Sequence, residues 1–201
     1  MKRLEYPRGG QIRIALFGAA GSGKSTTAGM IETICGRLGV RFALVKLGEP
    51  LYEAQYEIYR LAGRPLDDKY IQDGELLSFL GRHLRKINPT ALIDAFRFRL
   101  ENLSSSIQSG GPERTIILCD DMRFPDWEYL HELGFIPIRI SADTGVCERR
   151  QRLRGDYHIK SVPARHESNL DSIMPEFTIE NSGSMDSLEL DVEQVMTELL
   201  S

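Results

Sequence analysis

Apolar residues along this chain fall into short continuous runs separated by helically spaced stretches. Residues 12–17 (IRIALF) form a compact run that stops at a glycine cluster, as a buried strand does. Residues 24–38 follow with Ala28, Ile31, Ile34, Cys35 and Leu38 at helical spacing, and Gly39 ends that helix. Residues 41–47 (RFALVKL) predict a second strand. From 50 to about 103 the pattern is mainly helical, broken at GRPLDD and INPT, and 104–114 (SSSIQSGGPER) reads as a polar loop. Strands return at 115–119 (TIILC) and 136–140 (IPIRI), with a helix over 126–133 between them. A helix from about 144 to 153 precedes a polar, basic, weakly patterned stretch over 155–170. A short strand at 177–180 (FTIE) and a helix over 186–200 follow.

Strands alternating with helices imply an α/β fold, a parallel sheet of five strands covered on both faces to make three layers. The expectation is one domain over 1–201. Its core spans about 11–48, 115–150 and 175–201, with a helical insertion over about 49–103 and a lid over about 148–170. Ligands of such sheets gather at the carboxyl ends of the strands, and the informative motifs fall there.

Composition narrows the classes. The 201 residues are 41% hydrophobic and 27% charged, enough for a core and against disorder. No apolar run reaches the roughly 18 residues a membrane-spanning helix needs, and the opening MKRLEYPRGG lacks the apolar stretch of a signal peptide. Three cysteines are too few for a disulfide framework. A soluble, reduced, cytoplasmic protein without a membrane partner is expected. The net charge of −4 is uneven: nine acids and no Lys or Arg follow Arg165, which leaves the first 165 residues at +5. The acidic third keeps regular apolar positions, so a solvated helix face is the reading for it.

Gly18-Ala19-Ala20-Gly21-Ser22-Gly23-Lys24-Ser25 matches G-x-x-x-x-G-K-[ST] at every fixed position, between a predicted strand and a predicted helix. The glycines let backbone N–H groups turn inward on phosphate oxygens, and the helix presents its positive end to the same anion. Lys24 is placed for the β- and γ-phosphates, and the Ser25 hydroxyl for a Mg²⁺ ion. With Thr26 beside it, this loop is the expected site for ATP. Such a loop announces a bound nucleoside triphosphate and leaves the chemistry open.

Asp120-Asp121-Met122-Arg123-Phe124-Pro125-Asp126 follows the third strand. Either Asp120 or Asp121 can serve the metal in the manner of a Walker-B residue. Arg123 can clamp a phosphate with its fork, or pair with Asp126 or Glu128. Four arginines crowd 149–154 (RRQRLR), with Arg150 and Arg154 one turn apart on one helix face. A bound polyanion would relieve their repulsion; a nucleic-acid patch or a solvated basic face are the other readings. The lack of interleaved aromatics speaks against single-stranded nucleic acid. Stretch 155–170 can close over the site. On the acceptor side, Gly48-Glu49-Pro50-Leu51 ends the second strand, and 72–99 carries Gln72, Arg82, Arg85, Lys86, Arg97 and Arg99. The four histidines show no paired spacing.

Taken in order, these residues resemble the P-loop nucleoside and deoxynucleoside monophosphate kinases, above all the bacteriophage-type deoxynucleoside monophosphate kinases. Residues 121–126 (DMRFPD) are similar to that family's D-V-R-F-P-N, 76–81 (LLSFLG) to L-L-Q-x-L-G, and 49–52 (EPLY) to D-P-L-K. His166-Glu167-Ser168 and 179–184 (IENSGS) resemble H-x-S-E and I-x-N-x-G-S. The likeness runs from about 12 to 190. Departures fall on the acceptor side: Ser78 stands for Gln, Arg82 for Thr, Glu49 for Asp and Tyr52 for Lys. Animal-type phosphomevalonate kinases are similar to the same group, which keeps a non-nucleotide acceptor open.

The resemblance implies that Arg123 contacts the acceptor's phosphate and that Arg150 and Arg154 are lid residues serving the transferred phosphoryl group. It places Asn181 near the nucleotide base, unless Asn181 caps main chain instead. Glu49, Leu51, Gln72, Arg82, Arg85 and Arg123 are the expected acceptor-binding set, and Lys24, Arg123, Arg150, Arg154 and Asp121 the catalytic set. Ser25 with Asp120 or Asp121 is the metal set. The expected activity is transfer of the γ-phosphoryl of ATP to a small phosphorylated molecule, foremost a nucleoside monophosphate. An alcohol kinase with Asp121, Asp120 or Glu49 as base, and a nucleotide-dependent switch without transfer, are the alternatives. A homodimer is left open.

Overall fold

The protein is described by a computed structural model covering residues 10–107, 114–154 and 170–201. Five strands form one sheet: β1 (Gly10–Phe17), β2 (Arg41–Leu44), β3 (Arg114–Cys119), β4 (Phe135–Ser141) and β5 (Phe177–Glu180). Their order is β2-β3-β1-β4-β5, and every neighbouring pair is parallel. The α/β fold with a parallel five-stranded sheet is as the sequence predicts.

Alternation along the strands divides the apolar residues between two faces. Ile12, Ile14 and Leu16 of β1, Ile116 and Leu118 of β3, and Ile138 and Ile140 of β4 share one core. Helix α1 (Lys24–Leu38) covers it with Ala28, Ile31, Ile34 and Cys35, and α7 (Met185–Leu200) with Leu188, Val192, Met196 and Leu199. Ala15, Phe17, Ile117 and Cys119 point into the second core. There they meet Ile93, Phe96 and Leu100 of α4 (Ala91–Ile107) and Leu130 of α5 (Trp127–Glu132). Each such buried side chain contributes about 1.5–3 kcal/mol, so β1, between two neighbours and two helical layers, is the rigid base of the loop that follows it.

The helical middle of the chain resolves into α2 (Glu49–Leu61), α3 (Gly74–Ile87) and α4, broken where the glycine and proline signals fall. Asp73 starts α3 by accepting a bond from the Leu76 N–H at 3.0 Å. Buried Gln55 pins the preceding segment, accepting from the Asp73 N–H at 2.9 Å and donating to the Ile71 carbonyl at 2.6 Å. Helix α6 (Thr144–Arg154) follows β4. Short 3₁₀ turns at Phe124–Asp126 and Leu170–Ser172 complete the described elements.

Two boundaries differ from the sequence reading by three residues or more. Helix α4 continues through part of the expected polar loop; there the Ser105 hydroxyl donates to the Glu101 carbonyl at 2.9 Å and Ser104 accepts from Gln11. Strand β2 ends three residues early, at Leu44, although the Val45 N–H still bonds the Leu118 carbonyl at 2.8 Å. Among the described residues no helix is long and apolar enough to cross a membrane.

Candidate active site

The loop from Gly18 to Ser25 joins the buried end of β1 to α1. No side chain caps the N-terminus of α1, whose preceding residue Gly23 has φ 103°. Its leading N–H groups therefore face the loop's concavity. A Cβ on Gly23 would collide with the Asn181 amide, and one on Gly21 with the Cys147 carbonyl of α6. The glycines are required both for the turn and for the close approach of α6 and the segment after β5.

Three side chains hold the loop from that side. Asn181, 3% exposed, donates from Nδ2 to the Ser22 carbonyl at 2.7 Å, and its Oδ1 accepts from Arg150 at 3.2 Å. Arg150 also reaches the Ser22 carbonyl, at 3.4 Å, and Gln151 donates to the Ala20 carbonyl at 2.8 Å. Asn181 thus caps main chain, the second of the two roles considered for it. Arg150 is anchored to the loop it was expected to face. Thr26 sits exposed in the first turn of α1.

Lys24 folds back, donating to the Gly18 and Ala19 carbonyls at 2.9 Å each. Burial, then the charge of Arg123, lowers its ammonium from 10.5 to about 8. Asp120 opposes that fall and Arg154 adds to it. Positive charge from two separate elements therefore converges on the loop lysine, an arrangement that a polyphosphate would stabilise.

The two aspartates after β3 are sorted by direction. Asp120, 3% exposed, accepts the Ser25 hydroxyl on Oδ2 at 3.1 Å and pairs through Oδ1 with Lys46 at 2.6 Å. Asp121 turns the other way and accepts the N–H groups of Leu47 (2.7 Å) and Gly48 (2.9 Å). Burial and its neighbour Asp120 push the Asp121 carboxyl up, against those two bonds. Asp121 thereby ties the end of β3 to the start of α2. The Ser25 hydroxyl and Asp120 carboxylate, hard oxygen donors at the mouth of a phosphate-shaped loop, fit a magnesium ion. Asp121, with both oxygens on backbone N–H groups, is the poorer donor.

Most residues expected on the acceptor side lie on α2, α3 and the segment between them. Glu49 pairs with Lys69 and accepts the Tyr70 hydroxyl at 3.0 Å. Gln72 donates to the buried Tyr52 hydroxyl at 3.2 Å, and Tyr52 meets Tyr70 edge-on with ring centres 5.3 Å apart. Burial and nearby Asp121 drive the Tyr52 phenol up, so it stays protonated. Leu51 is half-buried one turn from these groups, against Gly81. Arg85, not Arg123, pairs with buried Asp126, at 2.6 Å. Arg123 is exposed and makes no side-chain hydrogen bond to another described residue, while Arg82 is exposed on α3 away from this cluster's bonds. Residues 155–169, where the lid and His166 were expected, lie outside the described residues.

Lys46, Lys69, Tyr70 and Gln151 were not singled out from the sequence. Lys46 reads there as one polar residue in a strand, and only the pairing of β2 with β3 brings it to Asp120.

No protein-family model and no curated protein matches the chain. Solved structures do. APE1195 is 18% identical over 97% of each chain, with a TM-score of 0.50. The APS kinase CysC of Mycobacterium tuberculosis is 16% identical over 97% of this chain and 99% of its own, with a TM-score of 0.49. Shikimate kinase from Acinetobacter baumannii is 16% identical over 94% and 93%, with a TM-score of 0.46. At 18% identity the likeness to APE1195 speaks to the fold alone.

Proposed function

We propose that this chain is an ATP-dependent kinase that transfers the γ-phosphoryl group to a small phosphorylated acceptor, a nucleoside or deoxynucleoside monophosphate, giving the diphosphate and ADP. The observation that carries this reading is the state of the strand-end carboxylates. Asp120 is bound to Ser25 and Lys46, Asp121 to two backbone N–H groups, Glu49 to Lys69 and Tyr70, and Asp126 to Arg85. An alcohol acceptor needs one of them as a base. A phosphate acceptor is already ionised and needs positive charge instead, which Lys24, Arg123 and Arg154 supply around one point.

In this reading the loop N–H groups and Lys24 cradle the β- and γ-phosphates. Ser25 and Asp120 hold Mg²⁺, which supplies charge neutralisation on the phosphate oxygens when bound. Arg123, which is exposed and makes no side-chain hydrogen bond to another described residue, binds the acceptor's phosphate. Arg154 stabilises the charge in transfer, and Arg150, fixed by Asn181, holds the loop and the arginine helix in one register. Tyr52, Gln72 and Leu51 form the floor beneath the acceptor, with Glu49 and Arg85 ordering its walls.

A screen of nucleoside monophosphates for ADP release, with product identified by mass, tests the proposal. The expected outcome is release that depends on one subset of monophosphates and yields their diphosphates. ATP hydrolysis indifferent to every acceptor would refute it.

A further inference from the structure

Lys46 leaves the end of the edge strand β2 and places its ammonium 2.6 Å from Oδ1 of Asp120, whose Oδ2 takes the Ser25 hydroxyl at 3.1 Å. The carboxylate is almost wholly shielded, its side chain 2% exposed, and that of Lys46 is 14% exposed. A buried carboxylate with no cation nearby is costly. Lys46 is the only cation paired with it among the described residues. The same ammonium lies 5.1 Å from the centre of the Tyr70 ring, on the acceptor side of the cleft. Lys46 therefore stands between two berths, a carboxylate and an aromatic face.

We infer that Lys46 is an exchangeable counter-ion for the metal carboxylate. It neutralises Asp120 when no divalent cation is bound. It gives up that contact when the cation arrives, moving its charge onto Tyr70 and into the acceptor cleft. The reason is electrostatic. An ammonium and a dication sharing the two oxygens of one shielded carboxylate lie within a few ångströms of each other, where like charges repel strongly in a poorly solvated site. Asp121 cannot receive the displaced charge without surrendering the Leu47 and Gly48 N–H groups. Tyr70 is a partner already within reach of the ammonium, its hydroxyl fixed by Glu49. Metal binding on the ATP side thereby adds a positive charge to the acceptor side, and Lys46 acts as a positioning residue between the two. The inference rests on Ser25 and Asp120 holding the metal, as proposed above.

The sign of one measurement separates this from a merely structural ion pair. Mn²⁺ is titrated into protein saturated with ADP, with free Mn²⁺ followed by its electron paramagnetic resonance signal and no acceptor present. In Lys46→Gln the Mn²⁺ dissociation constant should fall at least about threefold, because the competitor is gone, while Lys46→Arg should not tighten binding. Unchanged or weaker Mn²⁺ binding in a folded Lys46→Gln protein overturns the inference. A second readout uses the wild-type chain and needs no variant to fold: acylation of Lys46 followed by mass spectrometry. It should speed up at least about threefold on going from ADP with chelator to ADP with Mg²⁺, and an equal or slower rate overturns the inference. Wild-type protein that binds no Mn²⁺ with ADP would overturn both this and the metal assignment beneath it. Tight Mn²⁺ binding without a Lys46 effect removes the exchange alone.

Discussion

Ser25 and Asp120 stand 95 positions apart in sequence, and the Ser25 hydroxyl donates to Oδ2 of Asp120 at 3.1 Å. The bond joins the helix after β1 to the end of β3, and it turns one of two adjacent aspartates toward the glycine-rich loop. Asp120→Asn should therefore weaken Mn²⁺ or Mg²⁺ affinity in the presence of ADP by at least tenfold. Asp121→Asn should leave that affinity within about twofold. It should instead lower Tm, since an amide oxygen cannot hold both N–H groups; one buried donor left unsatisfied costs about 1–3 kcal/mol, or about 2–12 °C for a chain of this size. Calorimetry and metal titration of the two variants check the pair.

Lys24→Ala should reduce kcat by about 10²–10³, the loss typical of one preorganised charge partner, with the fold intact by circular dichroism. Transfer within about threefold of wild type would falsify the loop's assigned role.

Lys24 also gives a pH prediction for the metal-free, nucleotide-free protein. Its folded pKa, about 8, lies below the ordinary 10.5. Below pH 8 both folded and unfolded chains carry the proton, and the burial penalty is constant. Between about 8 and 10.5 the unfolded chain holds more protons, so raising pH stabilises the fold. In chelator, wild-type Tm relative to Lys24→Met should rise across that window. A flat difference would show that Lys24 is not desolvated in the empty loop.

Arg123→Lys keeps the charge and loses the fork. If the acceptor carries a phosphate, kcat/KM for that acceptor should fall about 10- to 150-fold, matching the roughly 1.5–3 kcal/mol of a charged hydrogen bond. The KM for ATP should stay near wild type. A kinetically silent Arg123→Lys would remove the acceptor-phosphate assignment.

Asn181→Ala leaves the buried Ser22 carbonyl and the Arg150 guanidinium short of a partner. A Tm lower by several degrees is expected, together with weaker ADP binding, because the same amide shapes the loop. Thermal shift with and without ADP measures both.

What the chain reveals unaided is what short stretches encode. The run IRIALF, the eight-residue loop and the spacing of Ala28, Ile31 and Ile34 specify strand, turn and helix within a window of about 25 residues. The partition of Asp120 and Asp121 is not local. It depends on which side of β3 each carboxylate leaves, and on Lys46 and Leu47 arriving from the neighbouring strand. The same is true of Arg85, whose partner Asp126 lies 41 positions away and was considered only as an alternative partner for Arg123. The serines after α4's expected end look like a loop because the bonds of Ser105 to Glu101 and of Ser104 to Gln11 cannot be read from composition. Sequence periodicity carries the scaffold; side-chain partners across the sheet carry the site.

The close seat of α6 on the loop has a practical corollary for measuring motion. Cys147 presents its carbonyl to Gly21, and its thiol is buried against the Ala142 carbonyl. Cys35 and Cys119 are wholly shielded within the two cores. A thiol reagent that reaches Cys147 while Cys35 and Cys119 stay protected would therefore report local opening around α6. The chain carries its own clock for that event, with two silent internal standards.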